Sequence, residues 1–445
     1  MRCLVTAPAE ANLAPDMEAL AGQYPEYLAA LNRHRRWNWG INVLDSGTFA
    51  LTKAALTETT VLPYFVSLLT SNALVIGLSP AIAWLGLYLP QLLGAYLVHS
   101  QARRKPYILT LAWLERAILL VMFLITLGAG RLPAGVVLAA FLVAYSIYWA
   151  FIGLIIPPYS EFYAKHIPVG RGRFLGMQTL LYGGVGVVGA AVVQRLLAQA
   201  PFPVSFVQVF GFAFLSALPA LIAFHNLREV PYPGQRPKQT LRAYLADIGP
   251  LLRANPAFVR FCLMRAVLVL GKISIPFLAL YALHRFSLDP GMVAVYTGIM
   301  LAAQSVAAPV WGYLSDRWNA HRLWLVAALV QVAQAALAFT APGPGWFYLV
   351  FALVGVTLSA DATAHPQTTY SLSPAAETTR FIGLGNTFLG PLLALGPVLG
   401  GALVNRYSYA AALGASLVVA AVGVGVVVFW ILWERRHPAR LSLEG

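Results

Sequence analysis

Charged residues are scarce in this chain of 445 residues: Asp, Glu, Lys and Arg make up 10% of it, against 59% hydrophobic residues. A soluble domain carries about 25% charged residues. So few charges cannot cover a globular surface in water, whereas a bilayer requires apolar side chains and an internally hydrogen-bonded backbone, which favours helices. The strand alternation of an outer-membrane barrel is absent as well. The composition therefore predicts an all-α membrane protein.

Cysteine is almost missing, with Cys3 and Cys262 as the two copies. Two cysteines cannot build a disulfide framework, and they argue against a thiolate metal site. The sequence also has no phosphate-binding loop, no His-Glu-x-x-His helix and no nucleophile elbow. ATP-driven transport and hydrolysis therefore have no basis in the sequence. We expect no enzymatic activity, no cofactor and no metal site.

The amino-terminal region lacks the apolar core of a secretory signal peptide. Residues 1–37 contain Asp16, Glu18 and Glu26 and the basic cluster 33–36. A signal peptide has a continuous apolar stretch instead. We expect residues 1–37 to form a cytoplasmic N-terminal segment.

Long apolar runs are what the chain does contain. Each has roughly 20 to 30 residues and so meets the requirement of a hydrocarbon core about 30 Å thick. We predict twelve transmembrane helices, near residues 39–69, 73–99, 107–129, 133–158, 174–199, 204–226, 257–283, 291–315, 322–341, 346–370, 381–404 and 408–433.

Positive charge is distributed unevenly between the two sides of these spans. The net charge is +14, and 22 of the 30 Lys and Arg residues lie before the first span, in the tail, or in or within five residues of an even-numbered loop, against 4 in or within five residues of the opposite loops. The positive-inside rule then places both termini in the cytoplasm. In short loops beside apolar spans such charge favours anionic lipid headgroups over nucleic acid, so we expect the lipid bilayer as a partner and no nucleic acid. Arg outnumbers Lys 25 to 5, which suggests a GC-rich bacterial genome and hence a bacterial cytoplasmic membrane.

The longest polar connection divides the spans into two sets of six. It covers residues 227–256 and separates an N-terminal bundle, 38–226, from a C-terminal bundle, 257–433, which a cytoplasmic tail follows at 434–445. Arg-Phe-Leu-Gly at 173–176 returns as Arg-Phe-Ile-Gly 207 residues later, and the glycines that follow keep the same offset. Such a constant offset predicts that spans five and eleven are related copies.

A short polar turn after span eight carries the most specific motif. It reads Gly-Tyr-Leu-Ser-Asp-Arg at 312–317, and a degenerate copy at 95–99 has His99 in the acidic position. The turn resembles the cytoplasmic signature between the second and third helices of each half of the major facilitator superfamily. This resemblance implies two pseudo-symmetric six-helix bundles, with spans one, four, seven and ten around a central cavity that holds a substrate near the midplane.

The residues of this turn predict a role in gating. Gly312 permits close helix approach or a tight turn, while Asp316, Arg317 and Arg322 can bridge neighbouring helix ends. Such bridges can break when the two halves rock. The alternative is a charged interfacial turn that only obeys topology.

Ionisable residues inside the spans are the main candidates for coupling, because each is costly in the bilayer unless it pairs or meets water. They lie in spans one, seven and ten: Asp45, Lys53 and Glu58; Arg265 and Lys272; Asp361 and His365. At least one acid is expected to give up its partner to a proton, a sodium ion or a charged substrate. The alternative is a set of neutralising pairs, for instance Asp45 with Lys272 or Asp361 with Arg265. Glu115 and Arg116 of span three are expected to form a structural pair.

Span four contributes aromatic residues in place of charges. Tyr145, Tyr148 and Trp149 follow helical spacing, so one face could contact the ring of a ligand or could simply pack. Both interpretations stay open at this point.

Together these features predict a secondary transporter that moves a small-molecule substrate by alternating access, with a proton or sodium ion as the coupling ion and a monomer as the working unit. A Gly-Pro-x-x-Gly-Gly run marks drug–proton antiporters of the superfamily when it lies in span five. Here Gly-Pro-Val-Leu-Gly-Gly lies in span eleven, at 396–401, so efflux is favoured only slightly. The alternative is a transporter-like receptor or scaffold that binds a ligand without translocating it.

Overall fold

The structure, a computed structural model, describes residues 24–98, 101–166, 171–231, 233, 240–246, 248–373 and 378–436. Their regular elements are seventeen α-helices. Helices are expected here because a backbone in lipid must bond to itself. We group the helices into spans one to twelve in chain order.

Eight helices make up spans one to six. Span one consists of α1 and α2, span two of α3 and α4, and spans three to six of α5 to α8, in the order α1 (Pro25–Ala55), α2 (Val61–Ser67), α3 (Ala73–Tyr88), α4 (Gln91–Val98), α5 (Lys105–Leu127), α6 (Ala134–His166), α7 (Arg171–Gln199) and α8 (Val204–His225).

Nine helices follow. The first two belong to the connection between the halves, span seven consists of α11 and α12, and spans eight to twelve are α13 to α17, in the order α9 (Leu241–Ala246), α10 (Ile248–Ala254), α11 (Pro256–Leu270), α12 (Ile275–Phe286), α13 (Met292–Arg317), α14 (Ala320–Thr340), α15 (Trp346–Leu372), α16 (Thr378–Arg406) and α17 (Tyr409–Arg436).

Eleven of the spans are long and apolar enough to cross a membrane, counted over the described residues. The exception is span one, because the face of α1 that points into the protein is polar: Asn38, Asn42, Asp45, Ser46 and Thr52 are all buried there. The span also begins earlier than predicted, since α1 starts at Pro25 and so takes in part of the segment 1–37. A cavity-lining helix can be this polar because its polar face never meets lipid.

Span one is interrupted beyond two thirds of its length, and span seven is interrupted near its middle. The first break lies between Ala55 and Val61 and the second between Leu270 and Ile275. In span seven the interruption frees backbone carbonyls, and side chains of neighbouring helices satisfy them. Gln331 donates to the carbonyl of Leu268 at 2.9 Å, and Ser416 donates to that of Gly271 at 2.5 Å. Non-helical backbone at membrane depth is tolerated where protein satisfies it in this way.

The repeat predicted for spans five and eleven is present in the helices themselves. Both α7 and α16 have 29 residues, and their first and last residues keep the offset of 207 found in the sequence. Both helices pack against the opposite half. A side chain at Gly183 of α7 would collide with Ser305, and one at Gly401 of α16 would collide with the backbone of Ala73. The glycines therefore allow the halves to approach closely.

The two halves bind each other most extensively at the end of the bundle opposite the connection 227–256, which we call the far end. Thr60 and Thr297 share a hydrogen bond of 2.5 Å between spans one and eight. Asn405 of span eleven donates to the side chain of Asn72 at 2.5 Å and accepts from the backbone of Ala73 at 2.7 Å. Closer to the other end, which we call the linker end, Asn386 donates to Gln91 at 3.0 Å. The far end is therefore closed in this conformation.

The connection between the halves is more ordered than a plain polar loop, because it contains α9 and α10. Its first residues bind the N-terminal half: Asn38 and the backbone of Arg228 exchange two hydrogen bonds of 2.9 Å, and Glu229 accepts from the backbone of Arg104 at 2.6 Å. Its last helix packs on the C-terminal half through Ile248, Leu251 and Leu252. Each half therefore holds one end of the connection.

Candidate functional site

A central cavity of about 340 Å³ lies between the two halves. Residues of spans one, two, four, five, seven, eight, ten and eleven line it. Its volume falls in the range of small-molecule sites. Six of the seven ionisable residues expected from the sequence reach its wall: Lys53, Glu58, Arg265, Lys272, Asp361 and His365.

Asp361 is the centre of the C-terminal side of the cavity. Arg265 donates from Nη2 to Oδ1 of Asp361 at 2.7 Å, and Lys272 donates from Nζ to Oδ2 of the same carboxylate. Arg265 lies in α11, and Lys272 lies in the break after Leu270, where the non-helical backbone lets it turn toward span ten. The expected pair of Asp361 with Arg265 is therefore formed, and Lys272 completes a triad.

The triad is mostly buried but open to the cavity on its acidic side. The side chain of Asp361 is 23% exposed, against 4% for Arg265 and 10% for Lys272. Arg265 also stacks on the ring of Trp324 with its guanidinium carbon 4.0 Å from the ring centre. Trp324 is fixed in turn, because its indole donates to Thr368 at 3.1 Å. Arg265 is thus positioned from two sides, whereas Lys272 is held through the carboxylate.

His365 lies one helical turn beyond Asp361 on the same face of span ten. Its ring stacks on Phe261 at a centroid distance of 5.5 Å. Neither ring nitrogen has a hydrogen-bond partner that meets ordinary geometry. The amide of Asn386 lies beside the ring and donates to Gln91 of the opposite half. His365 therefore borders one of the contacts that join the halves.

The N-terminal side of the cavity holds a single ion pair within span one. Lys53, at the end of α1, binds Glu58, which lies in the break before α2. The ammonium of Lys53 also lies 4.4 Å from the ring centre of Trp149, which stabilises the charge through a cation–π contact. The break brings Glu58 back toward Lys53, since a side chain five residues on in an unbroken helix would point to another side.

Asp45 does not pair with Lys272, and that expectation is wrong. Lys272 binds Asp361, while Asp45 accepts a hydrogen bond of 2.9 Å from the hydroxyl of Tyr159 on span four. Asp45 lies two helical turns toward the linker end from Lys53 and is outside the cavity wall. The sequence places Asp45 on the correct helix, but periodicity cannot tell which depth along that helix the cavity reaches.

The pair of Glu115 and Arg116 in span three is formed and buried, as expected of a structural pair. Arg116 also donates to the carbonyl of Ala217 in span six at 3.5 Å. These contacts tie spans three and six together behind span one, away from the cavity wall.

The aromatic residues of span four divide between the cavity and the core. Tyr148 and Trp149 line the cavity, whereas Tyr145 is fully buried and packs on Phe141 at 6.0 Å. Span four therefore has aromatic rings of both kinds: Tyr148 and Trp149 can contact a ligand, whereas Tyr145 packs in the core. Sequence reasoning missed three further aromatic rings of the wall: Trp84, Tyr88 and Tyr182.

Trp84 and Tyr88 carried a signal that could have identified them. They lie four residues apart in span two and stack at 6.1 Å with their rings tilted by 16°. Spacing of this kind puts two rings on one helix face. Span two contains no ionisable residue near its middle, so charge alone does not mark it as a cavity helix.

The turn expected to act in gating is mostly helix. The helix α13 continues to Arg317, α14 begins at Ala320, and Asn319 caps the new helix by accepting from the backbone of Arg322 at 3.0 Å. Arg317 covers the ring of Tyr313 at 4.2 Å.

Gly312 does not serve close helix approach or a tight turn here, because a side chain at this position would meet open space. The position lies inside the last turns of α13 and faces no neighbour in this conformation. The side chain of Asp316 and residue His99 lie outside the described residues. The predicted latch therefore stays a prediction.

The C-terminal part of the chain, residues 267–445, matches the family model of the Major Facilitator Superfamily. Residues 267–445 thus carry the sequence pattern of the major facilitator superfamily. A mouse relative, the MFS-type transporter SLC18B1, is 26% identical over 314 residues, which are 65% of this chain and 66% of that protein. The match thus spans slightly less than two thirds of the relative.

Solved transporter structures share the fold across nearly the whole chain. The nucleoside transporter NupG has 16% identity and a TM-score of 0.64, covering 88% of this chain and 98% of its own. A D-xylose–proton symporter has 16% identity and a TM-score of 0.63, covering 86% and 96%. A peptide transporter POT in complex with sulfate has 15% identity and a TM-score of 0.65, covering 90% and 94%. The fold is therefore that of a multi-pass membrane protein with two six-helix bundles.

Proposed function

We propose that this protein is a secondary transporter that carries a small molecule through the central cavity by alternating access. The observation that carries this proposal is the cavity itself, because it lies between two halves that are closed at the far end and is lined by paired charges. Binding sites at the interface of two repeats, near the bilayer midplane, are typical of such transporters. The comparisons support the same activity, since the named relatives are transporters.

Asp361 is the coupling carboxylate in this proposal. It is shared by two cations of another span and is also the most exposed member of the triad. A proton or sodium ion that reaches Asp361 from the cavity would compete with Arg265 and Lys272 for the same oxygens. Neutralisation of Asp361 would then loosen span ten from span seven, which links ion binding to helix movement.

The other predicted coupling residues take secondary roles. Lys53 and Glu58 pair within one span, so separating them does not move one helix relative to another. Asp45 holds span one to Tyr159 of span four, which adjusts the shape of the N-terminal half. His365 connects the triad to the contact between Asn386 and Gln91.

The far-end contacts describe one of the two states that alternating access requires. With Thr60, Thr297, Asn72 and Asn405 bound across the halves, the far end is sealed. We propose that the linker end opens in this state and that rocking breaks these bonds when the far end opens. We propose export as the direction of transport, slightly favoured by the Gly-Pro-Val-Leu-Gly-Gly run at 396–401, which resembles the run that marks drug–proton antiporters.

We propose a cytoplasmic location for both termini and for the connection 227–256, in a bacterial cytoplasmic membrane, from the distribution of Lys and Arg. Single cysteines at Thr240 and Pro344 test this orientation in oriented vesicles, after Cys3 and Cys262 are replaced by Ser. An impermeant maleimide should label position 344 from outside and position 240 only after the vesicles are opened. Labelling of position 240 from outside would show that the orientation is reversed.

The transport activity is tested in two steps. A thermal-shift screen of the purified protein over drugs, sugars, nucleosides, organic acids and amino acids identifies a ligand, since a ligand that binds the native state raises its unfolding midpoint. Proteoliposomes then measure flux of that ligand under proton and sodium gradients. Accumulation driven by either gradient supports a secondary transporter. Binding without any flux would instead favour a receptor or scaffold and would contradict the proposal.

A further inference from the structure

The charges that line the cavity do not balance. Among the described residues of the wall, three cations, Lys53, Arg265 and Lys272, face two carboxylates, Glu58 and Asp361. With His365 neutral, the wall therefore carries one surplus positive charge. A buried charge without a counter-charge is strongly unfavourable, so a site of this kind is completed either by an anion or by water.

Unused hydrogen-bond donors lie beside this surplus charge. Nε of Arg265 is buried without a hydrogen-bond partner. The ammonium of Lys272 has three N–H groups and donates one of them to Asp361. Arg265 and Lys272 lie on the two oxygens of one carboxylate, which shows that their spacing already suits a carboxylate. Such unused donors fit a ligand that brings acceptor atoms.

Aromatic rings form the rest of the wall. Trp84 and Tyr88 stack with each other from span two, and Tyr148 and Trp149 meet edge to face at 5.7 Å from span four. Rigid aromatic faces of this kind bind flat apolar bodies. The cavity thus offers a cationic end on span seven and an apolar end on the N-terminal half.

We propose that the cavity binds a small organic monocarboxylate, with its carboxylate on Arg265 and Lys272 and its apolar body against the rings of spans two and four. This inference rests on the proposed function and adds the substrate class to it. The ligand carboxylate replaces Asp361 as partner of the two cations. Asp361 thereby becomes free to take up a coupling cation, which connects substrate binding to the coupling step.

A cationic substrate is the competing class, because the exposed part of Asp361 faces the cavity. The two classes predict opposite effects of one substitution. Asp361→Asn leaves both span-seven cations free for an anion, so an anion should bind more tightly. The same change removes the carboxylate that a cation would need, so a cation should lose its site.

The test compares isosteric ligands on the full-length wild-type protein in detergent. Each triplet holds one apolar body and varies its charge: benzoate, benzyl alcohol and benzylamine; 3-phenylpropanoate, 3-phenylpropanol and 3-phenylpropylamine; 2-naphthoate, 2-naphthalenemethanol and 2-naphthalenemethylamine. Dissociation constants come from calorimetry against empty micelles. In at least one triplet the carboxylate should bind about tenfold or more tightly than the alcohol and the amine, as hydrogen bonds to a charged partner would give.

Substitutions of the triad residues test whether the carboxylate binds at the proposed site. Arg265→Gln and Lys272→Gln should each weaken carboxylate binding about tenfold, and Asp361→Asn should strengthen it by a similar factor. Arg131→Gln is the matched control, since Arg131 lies exposed in the loop after span three, and it should change nothing. If Arg265→Gln does not fold, the ligand panel on the wild type and the Lys272→Gln variant still test whether a carboxylate binds at this site.

Two results would overturn the inference. One is a panel in which no carboxylate binds more tightly than its amine. The other is a carboxylate site that Lys272→Gln leaves intact or Asp361→Asn abolishes. Neither result touches the proposed transport, which is judged by flux of whatever ligand the screen identifies. Conversely, carboxylate binding without flux would support the site and contradict the transporter.

Discussion

In the N-terminal half of the cavity, Lys53 and Glu58 neutralise each other within one span, five residues apart. In the C-terminal half, Asp361 of span ten neutralises two cations that belong to span seven. The first pair can persist while its helix moves as a rigid body. The second set cannot, because any shift of span seven against span ten changes its distances. The comparison identifies the C-terminal half as the place where charge and movement are linked.

The difference between the charged sites of the two halves arises at the breaks in spans one and seven. These spans hold corresponding places in the two halves, and each is interrupted beside the cavity. The break of span one holds the anion Glu58, and that of span seven holds the cation Lys272. The two halves thus present opposite charges at related positions. Each break frees a side chain to reach a partner that an unbroken helix would not offer.

Substitution of Asp361 by Asn should have the largest effect on stability. It leaves Arg265 and Lys272 buried without their shared counter-charge, and loss of one partner of a buried pair costs about 3–5 kcal/mol. We expect about 3 kcal/mol, since the 23% exposure of Asp361 admits some water to the triad. Denaturant unfolding in detergent measures it, with Asp289→Asn at the far end as control. If Asp361→Asn lowers the free energy of unfolding by no more than the control does, the triad does not stabilise the protein.

The matching substitution in the N-terminal half, Glu58→Gln, should destabilise by about 1 kcal/mol, because Lys53 keeps its contact with Trp149 and meets cavity water. The side chain of Lys53 is 21% exposed. The same unfolding measurement applies. A loss as large as that of Asp361→Asn would mean that the two halves do not differ as described.

A double substitution sharpens the comparison. Asp361→Asn combined with Lys272→Gln should recover about 1–2 kcal/mol relative to Asp361→Asn alone, because one of the two unpaired cations is gone. Glu58→Gln with Lys53→Gln should recover less. The two double-mutant cycles measure the coupling energy between Asp361 and Lys272 and that between Glu58 and Lys53. Equal coupling in both halves would contradict the distinction between the two sites.

The far-end contacts should have a smaller effect, on conformation. Thr297→Val removes the hydrogen bond to Thr60, which is worth about 1 kcal/mol and so shifts the balance between the two states about fivefold toward an open far end. A single cysteine at Pro397, on the cavity wall, should then react faster with an impermeant reagent from the far side. Thr110→Val, whose hydroxyl bonds within its own helix, is the control. Unchanged reactivity would show that this bond does not hold the far end.

The smallest effect is expected at the turn after span eight. Asp316→Asn would remove the charged bridge that the sequence predicts, and an exposed bridge is worth about 1 kcal/mol or less. We expect flux to slow by up to about fivefold while insertion is unaffected. His99→Asn, at the related position of the first half, is the comparison and should change flux little. Unchanged flux in both variants, with unchanged cysteine reactivity at the linker end, would reduce the turn to a topological signal.

The sequence was sufficient for the architecture. Apolar length, the bias of Lys and Arg and the offset of 207 between spans five and eleven all depend on local patterns, and the helices confirm the spans and the repeat. Span one shows the limit of the hydropathy pattern, because its buried polar face makes it less apolar than the other spans. Family resemblance was needed to recognise its place beside the cavity.

The pairing of the charges could not be predicted from the sequence. The sequence identifies Arg265 and Lys272 as charges of span seven, but the partner of Lys272 depends on the break at 271–274 and on the depth of Asp361 in span ten. Asp45 was assigned to the cavity because it lies on a cavity helix, and its depth along that helix excludes it. Depth and breaks are set by packing between helices, which single-helix periodicity does not contain.

The measurement that tests the central claim most directly is gradient-driven accumulation of the screened ligand by proteoliposomes that contain either Asp361→Asn or Glu58→Gln protein, each compared with the wild type. Because Asp361 connects two spans through its charge and Glu58 binds within one span, Glu58→Gln should still accumulate the ligand against its gradient. Asp361→Asn should only equilibrate the ligand across the membrane. Accumulation by Asp361→Asn with the proton and sodium dependence of the wild type would contradict the account.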